Sequence, residues 1–412
     1  MSQVVTEVGS PIAPGTQQPA RSLKSLAIRG SIWTMGGYGT GQVLRLGSNL
    51  ILTRLLFPEA FGLMALVTVF LQGLKMLSDV GIGPSIIQNR RGDDPLFLNT
   101  AWTIQVVRGL VLWICACILA WPVAWLFARN DPLAWRLVEL LPVAGLTALI
   151  AGFNSTGLIT LNRHLAFSRL TALDLVSQIV GIGVMIGWAL VYRSVWALVV
   201  GGLAGAVVRM CLSHMLIPRM RNRLQWDGDS ARALFSFGKW IFVSTTITFF
   251  AMQADRILLG NLVPLDVLGV YSIGLMLASL PKEMVTRLSS AVLFPTLSKH
   301  GRTNRDTLPE KVQLARRIIL PVATCILLSV ALLAPSFFQL LYDDRYHDAG
   351  WMAQLLCISV WFTMLMSTSG SALKSSPRSL PPAVPASTGG MCPSKAQTMG
   401  RIASAFKPTI AE

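Results

Sequence analysis

The chain has 412 residues, 53% of them hydrophobic and only 13% charged, with a mean hydropathy of +0.57. That balance excludes an ordinary soluble globular protein and points to membrane-spanning helices, because several charge-free stretches of about twenty residues match the thickness of the hydrocarbon core. The net charge of +16 predicts no nucleic-acid partner here, since most basic residues flank apolar spans, where they orient the chain and meet anionic lipid.

Residues 1–24 lack an apolar core and contain prolines, Ser and Thr, so they read as a disordered cytoplasmic N-terminus rather than a secretory signal. Arg21, Lys24 and Arg29 precede the first expected span, Ser31 to Leu50. A tight turn at Arg54 to Glu59 leads to the second, Ala60 to Leu77, and Asp79 to Asn89 reads as a re-entrant or interfacial segment. Spans 3 to 6 are expected at Val106 to Phe127, Leu137 to Leu161, Leu173 to Val191 and Val195 to Ile217, completing a first lobe over 25–217. A basic cytoplasmic linker, 218–239, separates it from four more spans: Trp240 to Gly260, Val267 to Leu288, Ile318 to Leu340 and Trp351 to Ser371.

Ten spans return both ends to one side. Alternate loops then collect nearly all the flanking Lys and Arg on the N-terminal side, leaving Arg54, Arg129, Arg136, Arg193 and Arg345 opposite, which predicts a cytoplasmic N-terminus. The second lobe, 240–371, is two helices shorter than the first. Residues 372–412 abandon the composition of everything before them and read as a low-complexity tail, either disordered or out of frame after a truncation.

An internal repeat is visible at an offset of 207 positions: Phe61-Gly62-Leu63 answers Leu268-Gly269-Val270, and Phe57-Pro58-Glu59 answers Pro264-Leu265-Asp266. Charge within a membrane helix is costly, so it marks function or a protected position. Gln42, Arg45 and Asn49 form one polar stripe on the first span; Gln253 and Arg256 form another on the seventh, with Asp255 turned away toward a neighbouring helix. The offset sets Arg256 against Asn49. Arg45 and Arg256 are candidates for lining a central cavity, since a guanidinium keeps its charge when poorly hydrated and grips phosphate through two donors. Asn154, with Ser155 and Thr156 in the fourth span, and Gln178 in the fifth suit sugar hydroxyls or helix locking. Asp79, Asp174, Glu283 and Arg287 lie nearer span ends. Gly37, Gly41, Gly183, Gly187, Gly201 and Gly205, in pairs four apart, suit close helix contact.

Catalysis finds no support. Gly36-Gly37-Tyr38-Gly39-Thr40-Gly41 lacks the strand and Lys-Ser or Lys-Thr pair of a nucleotide loop, and the four histidines are scattered. Cys115 and Cys117 point roughly 200 degrees apart on a helix, so no metal or cofactor is expected.

The stretches GSIWTMGGYGTGQVLRLGSNLILTRLLFPEAFGLMAL, SDVGIGPSIIQ and QADRILLGNLVPLDVLGVYSIG resemble the polysaccharide transport branch of the multidrug/oligosaccharidyl-lipid/polysaccharide exporter superfamily, the Wzx-type flippases. The resemblance runs from about Ser25 to Gly370. It implies an all-α polytopic membrane protein with a two-lobe inverted-V architecture, here with an incomplete second lobe. It further implies translocation of an anionic polyprenyl-diphosphate-linked oligosaccharide across the bacterial inner membrane for exopolysaccharide, capsule or O-antigen synthesis. Membrane lipids, a polysaccharide polymerase and glycosyltransferases are the implied partners. The alternatives are a multidrug or amphiphile exporter of related fold, a membrane-embedded glycan polymerase, and a non-transporting scaffold.

Overall fold

The computed structural model describes residues 23–79, 81–89, 91–163, 167–215, 222–288 and 308–374. The N-terminal segment 1–22, the basic exit 289–307, the tail 375–412, His164, His300, Arg219 and Arg221, and the side chains of Lys239 and Arg287 lie outside what is described. Among the described residues every regular element is a helix: α1 Leu23–Leu55, α2 Pro58–Leu77, α3 Ile82–Gln88, α4 Pro95–Phe127, α5 Leu137–Gly152, α6 Gly157–Arg163, α7 Phe167–Val191, α8 Trp196–Met215, α9 Gly228–Leu262, α10 Leu265–Leu288, α11 Leu308–Leu341 and α12 Ala349–Lys374. Short 3-10 turns at Pro132–Arg136 and Asp344–Tyr346 lead into α5 and α12. Among the described residues, eight helices are long and apolar enough to cross a membrane. Two further long helices, α1 and α9, are the least apolar of the ten and are repeat equivalents. The chain is an all-α polytopic membrane protein.

Local chemistry sets the helix starts. Pro58 opens α2 with Glu59 in its first turn, where a fixed φ and a negative charge both suit a helix N-terminus. Asp94 caps α4 by accepting from the Leu96 N–H, and Arg91, hydrogen-bonded to the same carboxylate, holds it below the usual carboxylate range. Asp227 likewise caps α9 through the Ser230 N–H. The helix therefore begins inside the segment expected to be linker. Residues 222–227 are stitched to α4: Asn99 Nδ2 donates to Gln225 Oε1 at 2.7 Å, Thr103 Oγ1 to the Gln225 carbonyl at 2.9 Å, and the Asp227 N–H to Thr100 Oγ1 at 3.2 Å.

At 33 residues α4 is about 50 Å long, well over the roughly 30 Å hydrocarbon core. Its first turns, with α3 and the start of α9, form a separate apolar layer of Ile82, Ile86, Phe97, Leu98, Ala101, Ile104, Ala231 and Leu234. The expected re-entrant segment is this layer's helix α3, entered through Gly81 at φ 66°, a left-handed turn that favours glycine.

The two repeats meet where α2 crosses α10. A Cβ on Gly62 would lie 1.9 Å from the Leu265 carbonyl oxygen, and one on Gly269 would lie 2.0 Å from the Pro58 carbonyl oxygen. Leu265 and Gly269 are the 207-offset partners of Pro58 and Gly62, so each contact is the image of the other. The contact is isologous, like that across a two-fold axis, but within one chain. Beside it, the loop after α4 holds the α9–α10 turn: Asn130 Nδ2 donates to the Asn261 carbonyl, and Asp131 Oδ2 accepts from the Leu265 N–H at 3.2 Å. The loop after α11 holds the α1–α2 turn in the equivalent way. Buried Tyr346 donates its hydroxyl to the Leu56 carbonyl at 3.2 Å and packs edge-on against Phe61, while Arg345 lies 5.1 Å from the Phe57 ring centroid. The end of the molecule remote from the linker is thus sealed by two matching clasps.

Because backbone carbonyls cannot yield, Gly62→Ala and Gly269→Ala should each destabilise the purified protein by about 1–3 kcal/mol. Gly183→Ala, where a Cβ meets nothing within 4 Å, should be neutral or stabilising in the same thermal unfolding measurement in detergent. Tyr346→Phe should cost about 1 kcal/mol by leaving the Leu56 carbonyl unpaired.

Candidate functional site

The polar stripe of α1 faces two ways. Gln42 is 8% exposed and donates to the Tyr38 hydroxyl at 2.7 Å and to Glu283 Oε2 on α10 at 3.2 Å; Tyr38 donates to the same oxygen at 2.9 Å. Asn49, also buried, sets its Nδ2 3.5 Å from Met276 Sδ on α10. These residues bridge the repeats. Arg45 is exposed and opens onto a cavity of about 520 Å³ between α1, α7 and α8. Gln178 Nε2 donates to the Gly41 carbonyl at 2.8 Å, and Thr171 occupies the space beside Gly37, so these two glycines let α7 lie directly on α1. Across the cavity Arg209 pairs with Asp174 at 2.8 Å.

On α9 the stripe is held differently. Asp255 accepts from the Tyr271 hydroxyl of α10 at 2.6 Å, the partner on another helix that its direction predicts. Gln253 Oε1 and Arg256 Nε are buried and have no hydrogen-bond partner among the described residues. The helix packs back onto α2 and α4: Phe249 lies against Gly73, Gly260 sits between Leu66 and Phe127, and Thr245 Oγ1 donates to the Met76 carbonyl. Arg256 is not in the wall that Arg45 lines.

The fourth span departs from expectation. It is not one helix to Leu161 but breaks at Phe153 to Thr156, between α5 and α6. The break is built from outside: Gln105 Nε2 of α4 donates to the carbonyls of Ala151, Gly152 and Asn154 at 3.0–3.1 Å, Ser213 Oγ accepts from the Ser155 N–H at 3.0 Å, and His214 Nε2 reaches the Phe153 carbonyl at 2.9 Å. Those contacts satisfy the backbone groups that a broken helix frees. Asn154 itself keeps a buried, unpartnered Oδ1 and lines a second cavity of about 390 Å³.

The glycine pairs divide. Gly181, Gly201 and Gly205 make the close α7–α8 crossing, where a Cβ on Gly181 would lie 3.0 Å from the Gly201 carbonyl oxygen, whereas Gly183 and Gly187 face open space. Four site residues escaped sequence reasoning: Tyr38, Lys75, Arg108 and Arg209. Arg209 carried the plainest signal, a full charge inside the apolar run Trp196–Met215. Among the described residues no group of three His, Cys, Asp or Glu could hold a metal ion.

Residues 51–350 match the model of a family described as polysaccharide biosynthesis protein. The teichuronic acid biosynthesis protein TuaB of Bacillus subtilis is 20% identical over 319 residues, 74% of this chain and 62% of TuaB. The lipopolysaccharide biosynthesis protein WzxC of Escherichia coli is 22% identical over 344 residues, 82% of this chain and 67% of WzxC. The chain therefore spans about two thirds of the length of either relative. Among solved structures, an inward-facing multidrug resistance MATE family transporter of the MOP superfamily superposes with a TM-score of 0.56 at 15% identity, covering 81% of this chain and 82% of that one. That likeness is one of fold. With the family model spanning well over half of its residues, the chain belongs to the polysaccharide biosynthesis protein family.

Proposed function

We infer that the chain carries an amphiphile with an anionic headgroup, a lipid-linked oligosaccharide, from the linker side of the membrane to the clasped side. The observation that carries this reading is Arg45, a cation in a polar stripe on a membrane helix, open to a 520 Å³ cavity whose Arg209 is already matched by Asp174. A cationic charge with no ion-pair partner among the described residues favours an anion in such a place. Arg256, with its Nε unsatisfied among the described residues, would supply a second guanidinium once the halves part, and Gln42, Asn49 and Gln253 would supply amide groups for sugar hydroxyls. The names of TuaB, a teichuronic acid biosynthesis protein, and WzxC, a lipopolysaccharide biosynthesis protein, support the cargo class, and the basic residues of the linker support a cytoplasmic linker.

Alternating access is the mechanism that fits. Two repeat-related halves crossing at Gly62 and Gly269 would rock as lobes of an inverted V, shutting one end as the other opens. The clasps make the present state closed away from the linker. The lipid tail would stay in the bilayer while the headgroup crosses between the lobes. A second reading, export of small amphiphiles, is favoured by the fold shared with a multidrug transporter.

Expression in a bacterial strain deleted for its own repeat-unit transporter separates the two. Restored surface polysaccharide with unchanged drug susceptibility supports the glycolipid reading; drug resistance without polysaccharide supports the second. Arg45→Ala and Arg256→Ala, expressed at wild-type levels in the membrane, should each lower the rate of surface polysaccharide appearance about tenfold, the loss of one charged hydrogen bond to the headgroup. Wild-type rates from both variants would sink the proposed roles.

A further inference from the structure

The second cavity holds a charge imbalance that the transport reading does not use. Its wall carries three cations, Lys75, Arg108 and Arg209, and one carboxylate, Asp79. Arg209 is matched by Asp174 at 2.8 Å and Arg108 by Asp79 at 3.9 Å. Lys75 has no ion-pair or hydrogen-bond partner for its ammonium among the described residues.

The usual structural explanation for a lysine in the last turn of a helix is favourable interaction with the C-terminal carbonyls. Here that position is taken. Arg108 donates Nη2 to the Lys75 carbonyl at 2.6 Å and Nε to Ser78 Oγ at 2.9 Å, so the end of α2 is already capped by a guanidinium. The same bond to the Lys75 backbone keeps the two cations close together in one wall. Like charges at the edge of an apolar layer repel more strongly than in water, and a bound anion relieves them. The same cavity is lined by Asn154, whose buried Oδ1 has no hydrogen-bond partner among the described residues, at a break that three other residues hold in shape. The floor is rigid, because Gly109 and Gly152 bring α4 and α5 into backbone contact, with a Cβ on Gly152 only 3.2 Å from the Gly109 Cα.

We propose that this cavity, lined by Lys75, Arg108, Gln105 and Asn154, binds a phosphate that carries a hydroxylated substituent, such as the headgroup of an anionic glycerophospholipid or a free polyol phosphate. The phosphate takes Lys75 and the outward edge of Arg108. A hydroxyl of its substituent donates to Asn154 Oδ1. The site lies in the first repeat, behind the α1 stripe, and Arg209 lines both cavities. It stands independently of the cargo reading, since it concerns binding and not translocation.

The test is thermal unfolding of the full chain in nanodiscs, for the wild type, Lys75→Gln, Lys75→Arg and Arg232→Gln. Arg232 is a surface control, 85% exposed and near Asp229 on the linker side. One arm adds sn-glycerol 3-phosphate to phosphatidylcholine discs; the other replaces a third of the phosphatidylcholine with phosphatidylglycerol. Wild type, Lys75→Arg and Arg232→Gln should melt about 3 °C or more higher in at least one arm, while Lys75→Gln should move by less than about 1 °C. A response to the soluble phosphate assigns a free ligand, and a response to phosphatidylglycerol alone assigns a lipid headgroup. The proposal is overturned if neither arm shifts the wild type, if Lys75→Gln responds as the wild type does, or if Arg232→Gln loses the response equally.

Discussion

Everything in this molecule is arranged about the contact of α2 with α10, where two glycines let two helix backbones touch. In lipid there is little hydrophobic gain in bringing helices together, so association rests on close packing and on polar contacts. A pair of glycines offers the closest packing available, and its reciprocity ties the two repeats with a single small patch. The apolar core spreads outward from it: Leu265 and Leu268 of α10 join Leu63, Leu66 and Val67 of α2 in the largest buried cluster, while Phe61 and Leu50 pack on the cluster built from α10, α11 and α12. Each half keeps a smaller cluster of its own, about Leu52, Leu56 and Ala197 in the first and about Ala278, Leu327 and Cys357 in the second, but the two largest clusters are shared between them.

That sharing explains how the two ends of the molecule differ. Away from the linker, the chain turns of one repeat are gripped by the loops of the other, with buried Tyr346 and Asp131 in equivalent places. Toward the linker, among the described residues, Glu283 of α10 receives Tyr38 and Gln42 of α1. Both sets are polar contacts in a weakly solvated setting, where a hydrogen bond is strong but has a ready alternative in water once a path opens. Such contacts can be exchanged. A seal of that kind suits two states that alternate better than a continuous apolar interface would.

The sequence exposed the parts of this arrangement that depend on local composition. Each of the ten apolar runs overlaps a helix, eight of the described helices being long and apolar enough to cross a membrane and the fourth run being broken in two, and the repeat read from Phe61-Gly62-Leu63 and Leu268-Gly269-Val270 lies at the contact itself. Hydropathy failed where helices leave the lipid. It started the third span at Val106 and the seventh at Trp240, while α4 begins at Pro95 and α9 at Gly228, since the extra turns are stabilised by packing in the separate apolar layer they share with α3 rather than by lipid. The break at Phe153 to Thr156 was invisible for a different reason. Asn-Ser-Thr within an apolar run reads as a tolerated helix segment until Gln105, Ser213 and His214 arrive from two distant helices to satisfy the opened backbone. Glu283 was discounted by its nearness to a span end, which says nothing about the helix standing opposite.

The placement of polar residues follows from the same geometry. The two helices with the lowest apolar content, α1 and α9, are repeat equivalents, and each makes polar contacts to the other half: Gln42 and Asn49 to α10, Thr245 to the end of α2. A polar group on a lipid-facing surface has no compensation, whereas one at a boundary between halves can find a partner from the other half in either arrangement. Duplication puts such boundary positions in both copies at once, so a stripe tolerated in one is tolerated in the other. The copies then diverge in charge, with Arg256 where the first repeat has Asn49. Arg45 and Arg256 consequently sit at different depths and in different surroundings, the first open to a cavity and the second with its Nε buried without a partner. Two identical halves related by an axis along the membrane normal would present the same chemistry on both walls of the space between them; divergence of this kind within a shared frame is what allows the two walls to differ.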